Sequence, residues 1–159
     1  MGLTGDFGKL DQLAKALEAI GDKRRGLLKD LAQEALAKVG EGFETSTSPL
    51  GIPWAPLLLR QGQPLLDTGR LRSSITYALS DSGFSLGTAV AYAPVHQYGA
   101  TIQAKSAKGL RWRAGGRWYG AKQVKVPARP FLPEGRVSAD WEAEFRSVAL
   151  EWMQALLKG

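Results

Sequence analysis

Between Asp22 and Phe43 the apolar positions Leu28, Leu31, Ala32, Ala35, Val39 and Phe43 recur at steps of three and four. Lys23, Arg24, Lys29, Glu34 and Lys38 fall largely on the remaining sides. That spacing gathers the apolar groups on one stripe and predicts a core-facing amphipathic helix. Ahead of it, Leu10, Leu13, Leu17 and Ile20 repeat the same steps, and Gly21 reads as the end of a separate short helix. Near the other end of the chain, Trp141, Phe145, Val148, Ala149, Trp152 and Leu156 form a third stripe. Ser138 is placed to cap that helix, and Asp140 and Glu142 suit the positive end of its dipole.

The periodicity changes between these helices. "TSTSPLGIPWAPL" is too rich in Ser, Thr, Pro and Gly for regular structure, so Thr45 to Pro56 reads as a loop, anchored by Trp54. In "LLDTGRLRSSI", Thr68 or Asp67 is placed to cap a short helix carrying Leu71. Ile75, Tyr77 and Leu79, then Phe84 and Leu86, alternate with polar residues around "SDSG", which predicts a β-hairpin. In "AYAPVHQYGATI", Pro94 fits the first turn of a helix and Gly99 the left-handed position that ends one, so one or two helical turns cover Tyr92 to Tyr98. Thr101 to Ala104 and Gln123 to Val126 read as two more strands, separated by a long glycine-rich segment. "VPARPFLPEG" carries Pro127, Pro130 and Pro133, which remove backbone donors and fix φ, and predicts an extended strap. Helices, then a meander of about four strands, then a helix make an α+β fold: N-terminal amphipathic helices, a small mainly antiparallel sheet with a long basic hairpin or arm, and a C-terminal amphipathic helix. We expect one domain over residues 1–159, with a helical region at residues 1–45, a loop and sheet region at residues 46–136 holding the arm 105–125, and a terminal helix at residues 137–159.

Charge sharpens this division. Residues 60–130 hold 11 basic and 2 acidic side chains, whereas residues 1–59 hold 7 and 8, and residues 131–159 hold 3 and 5. A basic centre between slightly acidic ends points to an anionic partner or to an acidic surface on a neighbouring subunit. The chain has no cysteine and one histidine, which rules out disulfides, zinc-thiolate sites, cysteine nucleophiles and multi-histidine metal sites. With no long apolar run and no basic, apolar leader, the sequence reads as a soluble cytoplasmic product with no membrane partner, and no cofactor is expected.

Three stretches invite a chemical reading. "LLDTG", Leu65 to Gly69, matches the Asp-Thr-Gly of dimeric aspartic proteases, in which two carboxylates share a proton. Here, however, a Pro-Gly-Gln loop precedes Asp67 and a helix-like, arginine-bearing segment follows it, so a structural cap suits the motif better. His96 lies between Tyr92 and Tyr98 with neither a nucleophile elbow nor an orienting acid in evidence, which suits a hydrogen-bonded structural residue. The third stretch is "KSAKGLRWRAGGRWYGAKQVK", Lys105 to Lys125, with seven Lys or Arg residues, no acid, and Trp112, Trp118 and Tyr119 interleaved. Three uses are open to it: docking on protein, where Arg and Trp are the usual anchors; tracking a nucleic-acid strand, with bases stacked on the aromatics; or a solvated, floppy hairpin. Lys105, Lys108, Arg111, Trp112, Arg113, Arg117, Trp118, Tyr119, Arg129 and Phe131 are the candidate contact residues.

"SPLGIPWAPL", "LLDTGRLRSSI", "YAPVHQYGA" and "VPARPFLP" occur in the order and approximate spacing of the tailed-phage virion morphogenesis (tail-completion) family, and the resemblance spans about Thr45 to Pro133. It implies a structural protein without catalysis, acting late in virion assembly at the head–tail junction, in the virion and, during assembly, in the host cytoplasm. It implies a ring-forming homo-oligomer that meets other phage neck or tail proteins, with DNA passing through or weakly touched. It also makes Trp54, Asp67, Thr68, Gly69, Tyr92, His96, Gly99, Pro127 and Pro130 structural motif residues. A closed ring needs two complementary patches per subunit, and the charge division offers them. The alternative function is a nucleic-acid-binding module using the basic aromatic arm.

Overall fold

The computed structural model describes residues 8–158, with side chains from Ile20 onward. The chain builds an α+β structure in which the long helix α1 (Gly8–Thr45) carries the β1–β2 hairpin (Thr76–Leu79 and Phe84–Gly87) and the terminal helix α4 (Ala139–Lys158). Two short helices, α2 (Arg70–Ser73) and α3 (Ala93–Tyr98), frame the hairpin in sequence. Four further strands follow α3: β3 (Ala100–Gln103), β4 (Leu110–Ala114), β5 (Arg117–Ala121) and β6 (Gln123–Val126).

The expected break at Gly21 is absent. The stripe of Leu10, Leu13, Leu17 and Ile20 runs in phase into Leu28, Leu31 and Ala35, and one glycine inside a helix costs only about 1 kcal/mol, so the helix continues through it. Of the predicted stripe, Ala32, Ala35, Val39 and Phe43 are buried, and Leu28 and Leu31 are half-buried. Lys38, assigned to the polar side, is buried too. Its stem runs along the core and its ammonium meets Asp140 in the first turn of α4 and Glu41 one turn on. Two carboxylates offset the desolvation of one cation, and the hydrogen bond to Asp140 raises the Lys38 pKa against the opposing effect of burial. The helix closes at Ser46, whose φ is 58°, and the Thr47 amide donates back to the Gly42 carbonyl at 3.0 Å, as in a Schellman stop.

The first hairpin forms as predicted, with Tyr77 opposite Leu86, Leu79 opposite Phe84, and the Ser80 amide closing the turn on the Gly83 carbonyl at 2.8 Å. The rest of the expected meander instead resolves into two further, separate antiparallel ladders, β3–β6 and β4–β5. The glycine-rich segment between the two predicted strands is thus itself a hairpin, nested inside the β3–β6 pair. Ala114 and Arg117 flank a two-residue Gly115–Gly116 turn with φ of 55° and 81°, the doubly positive pattern of a type I′ turn.

The core collects residues from all four helices and from the segments between them: Ala35, Val39 and Phe43 of α1, Trp54 of the loop, Leu71 of α2, Ile75 ahead of β1, Ala93 of α3, Phe131 of the strap and Trp141 of α4. Phe43 is at the centre, with Trp54 edge-on at 5.5 Å and Phe131 at 5.6 Å. α4 runs antiparallel along α1, pinned by Lys38–Asp140 near its start and near its end by Trp152, whose indole Nε1 donates to Asp30 at 2.8 Å. No described helix is long and apolar enough to cross a membrane.

Candidate functional site

Two of the other motif stretches, the Trp54 loop and α3, converge on the strap, residues 127–133. The strap lacks the regular pairing of a strand, because its prolines remove donors, so its remaining polar groups are met by side chains from elsewhere. Trp54 Nε1 donates to the Pro130 carbonyl at 2.7 Å. The Arg129 amide donates to the His96 carbonyl at 2.7 Å, and the Arg129 guanidinium donates to the Ala55 and Pro56 carbonyls at 2.7 and 3.0 Å. Gln97 joins α3 to the strap: its amide oxygen accepts from the Phe131 and Leu132 amides, and its NH2 donates to the Leu132 carbonyl. Gln97 is absent from the residues that the sequence singles out. Its signal is a polar side chain four residues after Ala93, on the inward face of a short helix.

Gly99 closes α3, though not in the left-handed conformation expected. Its φ of 73° goes with a ψ of 165°, a region open essentially to glycine alone, and a Cβ there would lie 2.8 Å from the Ala128 nitrogen and 3.0 Å from the Val126 carbonyl. The strap thus passes too close for any side chain. Pro94 occupies the first turn of α3 as expected. α2 also departs from expectation: Gly69, not Thr68 or Asp67, is its N-cap, and no side chain caps it. The Thr68 hydroxyl instead accepts from the Arg70 amide at 3.4 Å, and the Asp67 carboxylate is 79% exposed, 4.0 Å from Arg60 Nη1. Ser138 precedes α4, and its carbonyl takes the first helical bond, from Glu142.

Two residues grouped with the contact set turn inward. Phe131 is 2% exposed and Arg129 6%, so both spend their side chains on this chain's own interior. Pro127 and Pro130 stay exposed on the strap. Tyr92 stands edge-on to His96 at 5.8 Å. The His96 ring is partly withdrawn, its Nδ1 is buried without a hydrogen-bond partner, and burial followed by the Arg129 charge lowers its pKa.

Lys105 to Lys125 forms the second candidate surface. Alternation along the β4–β5 hairpin separates two faces. Leu110, Trp112, Ala114, Tyr119 and Ala121 are half-buried on one, where Trp112 stacks on its cross-strand partner Tyr119 at 5.8 Å. Arg111, Arg113 and Trp118 are exposed on the other, with the Arg111 guanidinium 5.7 Å from the Trp118 ring. Lys105, Lys108 and Arg117 are exposed at the base and tip. The tip reaches back to its own chain, since a Cβ on Gly115 would come within 2.9 Å of the Leu59 carbonyl. The hairpin tip is therefore seated against the loop at Leu59 and Arg60.

Among the described residues, no group of three or more His, Asp or Glu side chains is arranged to hold a metal ion. What the surface offers is arginine, tryptophan and exposed leucine, the material of macromolecular contact. Comparison with known proteins agrees in kind. The chain is 28% identical over 156 residues, 96% of its own length and 97% of the relative's, to Mu-like prophage FluMu G protein 2 of Haemophilus influenzae (strain Rd). No solved structure matches the chain at a significant level. The sequence model of the phage virion morphogenesis family matches residues 6–154, nearly the whole chain, and the protein belongs to that family.

Proposed function

We propose that this protein acts at the head–tail junction as a tail-completion or neck protein, forming or joining a ring through protein–protein contacts. The family places it in phage virion assembly. The observation that carries the finer reading is the outer face of the β4–β5 hairpin, which presents Arg111, Arg113 and a Trp118 that is 66% exposed. A tryptophan left in water beside arginines is the composition of an interface anchor. The loop beside the hairpin tip adds further exposed apolar side chains, Leu58, at 90% exposure, and Leu59. A two-stranded ladder is only marginally stable by itself, and the open edges of β3–β6 and β4–β5 are suited to pairing or packing against another subunit.

The stacked pair counts against the nucleic-acid alternative. Two of the three aromatics that would receive bases, Trp112 and Tyr119, already stack on each other, and Arg111 lies against the third. Binding to DNA that falls steeply with salt and is lost in Trp118→Ala would revive that alternative.

The test separates assembly from folding. Trp118→Ala is expected to leave the thermal midpoint within about 1–2 °C of wild type, because little buried area is lost, while abolishing ring formation in mass photometry, alone or with the neighbouring virion proteins. Trp112→Ala is expected to lower the midpoint itself by breaking the stack. A wild-type chain that stays monomeric under all these conditions and never enters phage particles contradicts the reading.

A further inference from the structure

A recess of about 420 Å³ lies between the Leu57–Arg70 segment and the His96–Arg129 junction. Its lining combines Leu57, Leu65, Leu71 and Tyr92 with Arg60, Arg70, Arg129 and His96, and one carboxylate, Asp67. Three arginines thus line the recess against one acid, and that acid is mostly in solvent at 4.0 Å from Arg60. Arg129 is buried, and among the described residues its guanidinium meets only backbone carbonyls, those of Ala55 and Pro56. A buried cation normally requires an anion, and carbonyl dipoles compensate it incompletely. Burial, and after it the charge of Arg60, pushes the Arg129 pKa below its ordinary value, as expected where like charges are crowded. Beside Arg129, His96 Nδ1 is buried without a hydrogen-bond partner.

We propose that this recess receives a carboxylate from a second copy of the chain, contributed by one of the exposed glutamates of α4. The inference rests on the ring reading and specifies one of its contacts. The charge division supplies the complement: Glu142, Glu144 and Glu151 are exposed on α4, form no ion pair among the described residues, and do not line the recess of their own chain. In a heterologous ring, one patch of each subunit meets a different patch of the next, as a basic recess and an acidic helix do. A glutamate side chain is thin enough to enter a leucine-walled recess and reach planar guanidinium groups, which hold carboxylates in two-pronged fashion. Leu57, Leu65 and Leu71 wall the recess, and a phosphate backbone is poorly suited to such apolar walls, so this site is assigned to protein and not to DNA.

The experiment uses the full chain. Arg70→Glu and Arg60→Glu each reverse a charge in the recess without removing a core residue, and each is expected to weaken self-association about tenfold or more in sedimentation, with an unchanged circular-dichroism spectrum. Replacing Glu142, Glu144 or Glu151 in turn by Arg, within the Arg70→Glu chain, should restore association in at least one combination. Unchanged association in both single variants overturns the proposal, even where wild type forms a ring. Rescue by none of the three removes α4 as the donor and overturns it as stated. Should wild type itself remain monomeric, the ring reading fails separately and the recess is judged by titration with acetate and with inorganic phosphate, followed through the His96 ring resonances. Saturable shifts with acetate support a carboxylate site; a response to phosphate alone, or to neither, counts against it.

Discussion

Gly99 shows how much of the motif set is backbone geometry. Its φ and ψ admit glycine alone, and the strap's main chain fills the space a side chain would need. Gly99→Ala is therefore expected to cost about 2 kcal/mol or more, a fall in Tm of roughly 4–8 °C. Gly116→Ala is the comparison: its φ is 81° but nothing lies within 4 Å of the added carbon, so about 1 kcal/mol is expected. Equal losses in thermal unfolding would show that the strap gives way and that crowding at Gly99 is not real. The sequence marked position 99 as special because glycine after a short helix is a stop signal. It could not mark why, since the crowding comes from residues 126 and 128. The same holds for Arg129 and Phe131. An arginine and a phenylalanine between prolines look like surface anchors until the loop carrying Trp54 is folded against them.

At the scale of elements, what could be read followed how local the cause was. The β1–β2 hairpin and the main stripes of α1 and α4 rest on periodicity within a few residues, and α3 on Pro94 and Gly99; these appear where expected, except that Ile20 and Leu156, at the ends of their stripes, are exposed. The basic segment reads as a hairpin or arm, but its strands go unassigned because four glycines interrupt it, although Leu110, Trp112 and Ala114 alternate and Gly-Gly matches a I′ turn. Lys38 was misplaced because its partner, Asp140, is about a hundred residues away. The contact between α1 and α4 provides a test at this scale. A Cβ on Gly26 would sit 2.5 Å from the Trp152 ring, whose Nε1 is held by Asp30. Gly26→Ala should then destabilise the wild-type protein by prising α4 outward. In a Trp152→Ala background the clash is gone and only helix propensity remains, so the same change should stabilise by up to about 1 kcal/mol. The predicted reversal of sign in denaturant unfolding is the evidence for direct packing; the same sign in both backgrounds would refute it.

For the whole molecule, His96 and Lys38 are expected to set the acid and alkaline limits of pH stability. His96, at the junction with the strap, has a pKa lowered first by burial and then by Arg129. Such a base binds fewer protons when folded, so its contribution is complete above the unfolded value of 6.5 and is lost as pH falls below it. Lys38, at the clasp between α1 and α4, has a pKa raised first by its hydrogen bond to Asp140. Its contribution is complete below the unfolded value of 10.5 and is lost as pH rises through the folded one. Tyr98, raised by its hydrogen bond to Glu134, acts in the same alkaline direction, but lies in solvent and adds little. Thermal midpoints should therefore form a plateau between about pH 6.5 and 10, falling on both sides. The two limbs have separate origins. His96→Phe, which keeps an aromatic ring against Tyr92 but cannot take a proton, should flatten the decline between pH 7 and 5 and leave the alkaline limb alone. Lys38→Met should do the reverse. If the acid limb keeps its slope in His96→Phe, the acid sensitivity belongs to carboxylates elsewhere, and the strap junction is not the acid-labile point of the fold.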